Sequence, residues 1–295
     1  MGDRPTVAVV GAGRMGGAMA GTLRRAGFEV LVHNRTRDKA EAVAAASGAT
    51  VAASAAEAAA GAGVVLSSLP DDAAVEAAYG EPDGVAAGLR PGAVVLESST
   101  VDPETVRALA PLVEGRGAAL LDTPVSGSVS LVERGELTVM AGGDAEALER
   151  ARPVLDALAA KVFHVGGLGA GATVKLVVNA VLHGLNLALS EGLVLAERAG
   201  VARTAAYEVL AASAVGAPFV QYKRQAFERP EETPPAFSLD LAAKDLDLAL
   251  GLATRAGATM EQAATNRRVV GEAVAAGLGE ADFSALAVFL RSERP

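Results

Sequence analysis

The sequence predicts an α/β protein: a doubly wound parallel sheet joined by a long helix to an all-α C-terminal domain. Residues 6–165 alternate short apolar runs with alanine-rich helical stretches, which is typical of parallel strands connected by crossover helices. Residues 172–199 then form one long stretch without proline, and no alternating strand pattern follows it. We therefore expect two domains, residues 1–166 and residues 167–295.

The strands of the first domain are predicted from runs rich in valine, alanine and leucine, which suit a sheet buried on both faces. In order, they are Thr6–Val10, Glu29–His33, Val64–Ser67, Val94–Glu97, Ala119–Asp122, Thr138–Ala141 and Val162–Val165. Helices are predicted at Met15–Ala26, Arg37–Ala46, Ala73–Tyr79, Pro103–Glu114 and Ala145–Ala159. Helices of this length between strands imply parallel pairing, because parallel strands need long crossover connections.

The second domain is predicted to be helical throughout. Ala172–Ala199 would extend about 42 Å at about 1.5 Å per residue, so we expect this helix to link the two domains. It ends at Gly200, a typical C-cap residue. Further helices are predicted at Thr204–Ala214, Leu239–Ala256 and Met260–Ala276.

The composition limits the classes of function. A net charge of −9 argues against a protein that binds nucleic-acid phosphates. The chain has no cysteine, which excludes thiolate metal sites and cysteine nucleophiles, and its three histidines are too few for a histidine-rich metal site. Its most apolar long stretch, Leu176–Ala196, contains several polar residues, and the N-terminus lacks a signal-peptide pattern. We expect a cytoplasmic protein that does not enter a membrane.

The stretch TVAVVGAGRMG (6–16) contains the first strand, then a glycine-rich turn, and then the start of the first helix. In a dinucleotide site the first glycine permits the tight turn, the second lets a pyrophosphate approach the backbone, and the third lets helix and strand pack closely. A purely structural glycine turn is the alternative. We assign the cofactor site to Gly11, Ala12, Gly13, Arg14, Met15 and Gly16.

The end of the second strand predicts which dinucleotide binds. A carboxylate there would bind the ribose of NAD, whereas an arginine would bind the 2′-phosphate of NADP. This chain has Asn34, Arg35 and Thr36 in that region, and no carboxylate occurs before Asp38. The sequence therefore favours NADP, because a guanidinium can bind a phosphate through two hydrogen bonds.

Six stretches, taken in order, resemble the β-hydroxyacid dehydrogenase family and cover nearly the whole chain. They are GAGRMGGAMA (11–20), SSLPDD (67–72), ESSTVDP (97–103), DTPVSGS (122–128), GLGAGATVKLVVN (167–179) and KDLDLAL (244–250). The family includes 3-hydroxyisobutyrate dehydrogenases and glyoxylate/succinic semialdehyde reductases. The resemblance implies a Rossmann-type domain, a small carboxylate-bearing substrate, hydride transfer with a nicotinamide cofactor, and a homodimer or homotetramer.

The resemblance also assigns roles to individual residues. It implies a catalytic lysine and its asparagine partner at Lys175 and Asn179. The residues that we place beside the cofactor are Leu69, Pro70, Thr100 and Lys244, the last of which matches a lysine at the family's active site. The substrate-binding residues are Ser126, Gly127 and Ser128, together with Lys175 and Asn179. Many members have a glycine where this chain has Ser128, and this difference favours the NADP-using semialdehyde reductases.

Lys175 and Asn179 lie four residues apart, so on a helix they share one face. A lysine directed into a cleft can donate a proton to a carbonyl oxygen as hydride arrives, or remove one from an alcohol in the reverse direction. The pKa of an ordinary lysine, near 10.4, is too high for an efficient base, but a second cation such as Lys244, or desolvation, would lower it. His183 continues roughly the same face, and we interpret it as structural.

Two alternatives remain open from the sequence. The first is an imine reductase of the same fold, against which the retention of Lys175 argues. The second is a non-catalytic NADP-binding protein, which would not need Lys175, Asn179 and Lys244 together. Leu241–Leu252 is apolar on more than one face, which a monomer would expose, so this stretch also leads us to expect a homo-oligomer.

Overall fold

The computed structural model describes residues 4–292, and the side chain of residue 231 is not described. It divides into two compact units, the first ending at Lys175 and the second beginning at Leu176. The division that we expected at residues 166 and 167 stays a prediction.

The first unit is built on one twisted sheet. Its strands are β1 (Val7–Val10), β2 (Val30–His33), β3 (Thr50–Val51), β4 (Val64–Ser67), β5 (Val94–Glu97), β6 (Ala119–Asp122), β7 (Val125–Ser126), β8 (Leu137–Gly143) and β9 (Ala159–Gly166). The order is β3-β2-β1-β4-β5-β6-β8-β7, and β9 pairs with β8. Strands β1 to β6 pair in parallel. Strands β2 and β3 lie on one side of β1, and strands β4, β5 and β6 lie on the other side, so the order of addition reverses at β1. The predicted doubly wound fold is confirmed.

The sheet is apolar on both faces, as the valine-rich runs predict. Alternate residues of β1 enter two separate cores, because successive side chains on a strand point to opposite faces. Val7 and Val9 pack with Met19 of the first helix, whereas Ala8 and Val10 belong to the core on the opposite face. Helices therefore cover both faces of the sheet.

The end of the sheet differs from a wholly parallel arrangement. Strand β8 runs antiparallel to β6 and to the two-residue β7, and only β9 is again parallel to it. The connection between β6 and β8 contains the two-residue β7 and one short helix, and antiparallel pairs need no crossover helix. A local apolar run does not encode strand direction, so the sequence pattern alone could not show this reversal.

Eight helices of the described residues lie wholly within the first unit. They are α1 (Arg14–Arg25), α2 (Arg37–Ser47), α3 (Ala55–Ala60), α4 (Asp72–Gly80), α5 (Val85–Gly88), α6 (Pro103–Glu114), α7 (Val129–Glu133) and α8 (Ala145–Leu158). Four of them, α3, α4, α6 and α8, begin after a side chain that accepts a hydrogen bond from a backbone N–H of the first turn. These capping residues are Ser54, Asp71, Asp102 and Asp144.

The long helix α9 (Ala170–Arg198) spans the division between the units, close to the range that the sequence predicts. The second unit continues with α10 (Arg203–Ala212), α11 (Pro218–Tyr222), α12 (Arg224–Glu228), α13 (Leu239–Ala256), α14 (Glu261–Ala273) and α15 (Leu286–Arg291). Short 3-10 segments lie at Pro230–Glu232 and Phe283–Ala285, and a π-helical segment at Val274–Leu278. All its described regular structure is helical, as expected.

One sequence-based argument about α13 is wrong. The leucines of Leu241–Leu252 are buried or half-buried within the second unit, and the stretch therefore presents no fully exposed leucine. Leu248 and Leu252 pack against Leu176 of α9, and Leu246 lies in the main helical core. Neighbouring helices of the same unit cover these faces, so α13 gives no reason to expect an oligomer.

Among the described residues, α9 is the one helix that is long and apolar enough to cross a membrane. Core helices of soluble proteins meet the same criterion. Asn179, His183 and Asn186 of α9 are all buried inside the protein. The helix is therefore weak evidence for a membrane span.

Candidate active site

The glycine turn lies after β1, at the carboxyl ends of the parallel strands and beside the reversal in strand order, where doubly wound sheets bind ligands. Gly11 has a φ of 103°, and a Cβ there would lie 2.2 Å from the Ser68 carbonyl oxygen. A Cβ on Gly16 would lie 2.0 Å from the Gly11 carbonyl oxygen, so these two glycines permit close packing. A Cβ on Gly13 would meet no described atom within 4 Å. The turn therefore leaves space at Gly13, where the N-terminus of α1 begins.

Asn34 connects the end of β2 to this turn. Its Oδ1 accepts a hydrogen bond from the Ala12 N–H at 2.9 Å, and its Nδ2 donates to the Thr36 carbonyl at 2.9 Å. Arg35 is exposed, and Arg37 forms an ion pair with Glu41 at 2.7 Å. The Asn34 side chain thus holds the loop, and Arg35 extends from it into solvent.

The loops after β4 and β5 are joined by hydrogen bonds. The Leu69 N–H donates to Ser99 Oγ at 2.8 Å, so the two loops are held side by side. Pro70 is exposed, and Thr100 is half-buried. The glycine turn, Leu69 and Ser99, which precedes Thr100, therefore lie on the same edge of the sheet.

Ser126 ends β7, and Gly127 and Ser128 connect this strand to α7. Gly127 has a φ of 146° and its Cβ would lie 2.6 Å from Leu137 Cδ2, so a larger residue there would be strained and crowded. Ser128 is the residue before α7, and its hydroxyl is 2.8 Å from that of Ser130. Both serines are half-buried and Gly127 is exposed, so the loop offers hydroxyls and backbone groups at the surface.

Asp122 fixes the start of the helix that carries Lys175. Its side chain is fully buried and accepts hydrogen bonds from the Gly169 N–H at 2.9 Å and the Ala172 N–H at 2.7 Å. A carboxylate at a helix N-terminus satisfies unpaired N–H groups and interacts favourably with the helix dipole. Lys175 is half-buried one turn further along.

A second polar cluster lies in the helical unit. Asn179 Nδ2 donates to Asp245 Oδ2 at 2.6 Å, and Lys244 Nζ is 3.0 Å from Asp245 Oδ1. Asn179 and Asp245 are both buried. Sequence reasoning selected Lys244 and missed Asp245, although an acidic residue within an apolar helix, directly after that lysine, was a usable signal.

His183 is also part of this cluster. Its ring is buried, and Nε2 lies 3.9 Å from Asp245 Oδ2. Within residues 4–292 neither ring nitrogen has a hydrogen-bond partner. The ring packs near Phe237 and Phe283, with centroid distances of 5.9 Å. Aromatic packing of this kind agrees with a structural side chain, as interpreted from the sequence.

Two family models match the chain and together cover most of it. Residues 6–166 match the NAD-binding domain of 6-phosphogluconate dehydrogenase. Residues 169–290 match the NAD-binding domain of NADP-dependent 3-hydroxyisobutyrate dehydrogenase.

Individual proteins agree with these matches. Glyoxylate/succinic semialdehyde reductase 1 of Arabidopsis thaliana is 33% identical over 95% of this chain and 96% of its own length. NAD-dependent L-serine dehydrogenase of Pseudomonas aeruginosa is 37% identical over 71% of this chain and 70% of its own length.

Solved structures show the same relationship. The 3-hydroxyisobutyrate dehydrogenase of Mycobacterium tuberculosis with L-serine has a TM-score of 0.85 and 33% identity, covering 98% of this chain and all of the other. An imine reductase from Pseudomonas sp. has a TM-score of 0.66 and 24% identity, covering 97% of this chain and all of the other, and shows a shared fold only.

Proposed function

The chain belongs to the β-hydroxyacid dehydrogenase family and is an NAD(P)-dependent oxidoreductase, and from this premise we propose that it interconverts a small β-hydroxyacid and its semialdehyde or oxo acid with NADP(H). In this proposal Lys175 transfers the proton that accompanies hydride transfer. The observation that carries it furthest is that Lys175 stands at the family's lysine position, one turn before Asn179, on a helix whose start is fixed by Asp122.

The residues of the glycine turn fit a dinucleotide. Gly13 leaves open space beside the N-terminus of α1, and Gly11 and Gly16 keep the turn close to the sheet. Helix N-termini bind phosphate groups through backbone N–H groups and the helix dipole. When bound, a nicotinamide cofactor supplies or accepts the hydride. Leu69, Pro70, Thr100 and Lys244 are proposed to line the remainder of its site.

The preference for NADP rests on Arg35. Asn34 uses both ends of its amide within the loop, so it supports the loop rather than replacing the carboxylate that would bind a ribose diol. Arg35 is exposed beside it, whereas Arg37 is engaged with Glu41. We assign the 2′-phosphate to Arg35, with Asn34 and Thr36 shaping its loop. A guanidinium suits a phosphate because its planar donors match two oxygens.

The substrate carboxylate is assigned to the loop Ser126–Ser128. Two hydroxyls and the backbone N–H groups can donate to a carboxylate there, and Gly127 lets the chain adopt its conformation. Charge-assisted hydrogen bonds of this type are stronger than neutral ones.

Only the side-chain oxygen of Asn179 is assigned to the reaction, because its Nδ2 already donates to Asp245. Its Oδ1 is the atom that can accept a hydrogen bond from Lys175 or from a substrate hydroxyl. Asp245 thus sets the orientation of the amide. Asp245 also pairs with Lys244 and compensates its positive charge.

A substrate screen tests the proposed function. NADPH and NADH oxidation would be followed with glyoxylate, succinic semialdehyde, methylmalonate semialdehyde and tartronate semialdehyde, with a cyclic imine as a further arm. We expect NADPH-dependent reduction of at least one aldehyde acid. Reduction of the imine alone would assign an imine reductase, and nucleotide binding without turnover would assign a non-catalytic protein. Either result would overturn the proposal.

A further inference from the structure

A chain of buried polar groups lies beneath the loops after β4 and β5. Ser67 and Glu97 are the last residues of these two strands, and they are paired in register. Both side chains are buried, as is that of Tyr79 on α4. A buried carboxyl group is costly unless it receives hydrogen bonds, so its partners determine what it does.

Both oxygens of Glu97 are used, and each faces a different group. Ser67 Oγ donates to Oε2, and the Ser99 N–H donates to Oε1 at 2.8 Å. The Tyr79 hydroxyl is 2.6 Å from Ser67 Oγ, and because Ser67 gives its proton to Glu97, Tyr79 is the donor in that pair. The hydrogen bonds therefore run in one direction, from Tyr79 through Ser67 to the carboxylate.

The same chain reaches the proposed cofactor loops. Ser99, held by Glu97, accepts the hydrogen bond from the Leu69 N–H at 2.8 Å. Leu69 precedes Pro70, and Ser99 precedes Thr100, so the link joins the two short segments assigned to the cofactor. Burial raises the pKa of Glu97, and the hydrogen bonds from Ser67 and Ser99 oppose that rise.

We propose that Glu97 is a positioning residue for the cofactor, which acts through Ser99 to set the spacing of the loops that carry Leu69 and Thr100. Glu97 does not itself touch the cofactor in this account. A carboxylate suits the position because both of its oxygens accept hydrogen bonds. Glutamine has one acceptor oxygen, so it would either present its NH₂ group to the Ser99 N–H or force Ser67 to accept and to turn its own proton toward Tyr79, which reverses the direction of the chain. The inference rests on the proposed function, because that function assigns these loops to a dinucleotide.

The test compares Ser99→Ala, Glu97→Gln and the double variant. The dissociation constant of NADPH would be measured by fluorescence titration, together with kcat, the KM for the aldehyde acid at saturating NADPH, and Tm. We expect the dissociation constant to rise about fivefold for Ser99→Ala and about tenfold for Glu97→Gln, the scale of a lost neutral or charged hydrogen bond. If Glu97 acts through Ser99, the NADPH dissociation constant of the double variant should be little higher than that of Glu97→Gln. Independent effects would instead raise it about fiftyfold.

Thr22→Val is the matched control, because Thr22 is a buried hydroxyl of the same unit that donates to the Val132 carbonyl at 3.0 Å. It should lower Tm while leaving the NADPH dissociation constant within about twofold of wild type, a smaller change than that of one lost hydrogen bond. If the Ser99 and Glu97 variants behave like this control, or if the double variant shows the full product of the two effects, the positioning role is overturned. A wild-type protein that binds no nicotinamide nucleotide would overturn the proposed function as well, and this outcome is visible before any variant is made.

Discussion

Asp245 shows how one buried side chain can organise several groups. It accepts a hydrogen bond from Asn179, pairs with Lys244 and lies 3.9 Å from His183. Removing its charge would leave these partners in a buried site without the carboxylate that orients them. At the residue scale, its effect on turnover should therefore exceed that of an exposed acidic residue nearby.

We expect Asp245→Asn to lower kcat by about 10- to 100-fold, the scale of hydrogen bonds to a charged group. Asp247→Asn is the control, because Asp247 is exposed on the same helix and pairs with Arg267 at 2.6 Å. Steady-state kinetics with the substrate selected by the screen would compare the two. Equal, small effects would show that Asp245 does not orient Asn179 for turnover.

The assignment of Arg35 to the 2′-phosphate predicts a preference for NADPH over NADH. Wild type should have a higher kcat/KM for NADPH than for NADH. Arg35→Asp should lose about 2–4 kcal/mol of NADPH binding, the scale for removing a charged contact that the bound cofactor buries. Arg37→Ala should change the preference less, since Arg37 is paired with Glu41. A wild-type preference for NADH would contradict the assignment.

At the scale of elements, a buried ion pair fixes the segment that precedes α13. Lys223 Nζ contacts both oxygens of Asp282, at 2.8 and 2.6 Å. Asp282 also accepts the Ala236 N–H at 2.8 Å. Burial would raise the pKa of Asp282, but the hydrogen bonds and charge of Lys223 outweigh it, so the pKa lies below its usual range.

A lowered pKa means that this carboxylate stabilises the fold at neutral pH and that the stabilisation is lost as the pH falls below about 4. We expect Asp282→Asn to lower the free energy of unfolding by about 3–5 kcal/mol at pH 7, because Lys223 is left buried without its counter-ion. Denaturant unfolding at several pH values should show this difference shrinking below about pH 4. The exposed control Asp247→Asn should cost about 0–1 kcal/mol. If Asp282→Asn lowered the free energy of unfolding no more than Asp247→Asn does, the prediction would be contradicted.

For the whole molecule, a homodimer or homotetramer stays a prediction, but its structural reason changes. The leucines of α13 are covered, and exposed apolar residues lie instead on α9 and α10. They are Val177, Val181, Leu195 and Val209. Light scattering at micromolar concentration should show a mass of at least twice 29.5 kDa. A single species of 29.5 kDa would contradict the expectation.

Periodicity and length predicted most of the strands and helices. Long elements such as α9 and α13 have strong patterns, whereas β3 and β7 have two residues each and give no period to detect. The direction of β8 was not predictable, because strand direction depends on the connection and on pairing partners. The burial of the leucines in Leu241–Leu252 was not predictable either, because it depends on how helices pack within the second unit.

Those parts of the candidate site whose residues lie close together along the chain could be proposed from the sequence. The glycine turn and the loop after β2 needed only strand ends that meet at one edge of a sheet. The bond between Asn179 and Asp245 joins residues 66 positions apart, and that between Asp122 and Ala172 joins residues 50 apart. Neither has a local pattern, so both require the folded structure.

Two variants of Lys175 test whether this lysine transfers a proton during the reaction. Lys175→Ala should lower kcat by at least about 100-fold, the lower range for a general acid or base, with little change in NADPH affinity. Lys175→Arg should not restore kcat, because a guanidinium hardly deprotonates in proteins.

The measurement is kcat and KM of both variants on the selected aldehyde acid, with NADPH affinity by fluorescence titration. We expect a low kcat and near-normal NADPH binding in both variants. A Lys175→Arg enzyme with near-normal kcat and a raised KM would make Lys175 a carboxylate anchor. A Lys175→Ala enzyme with near-normal kcat would contradict the catalytic role altogether.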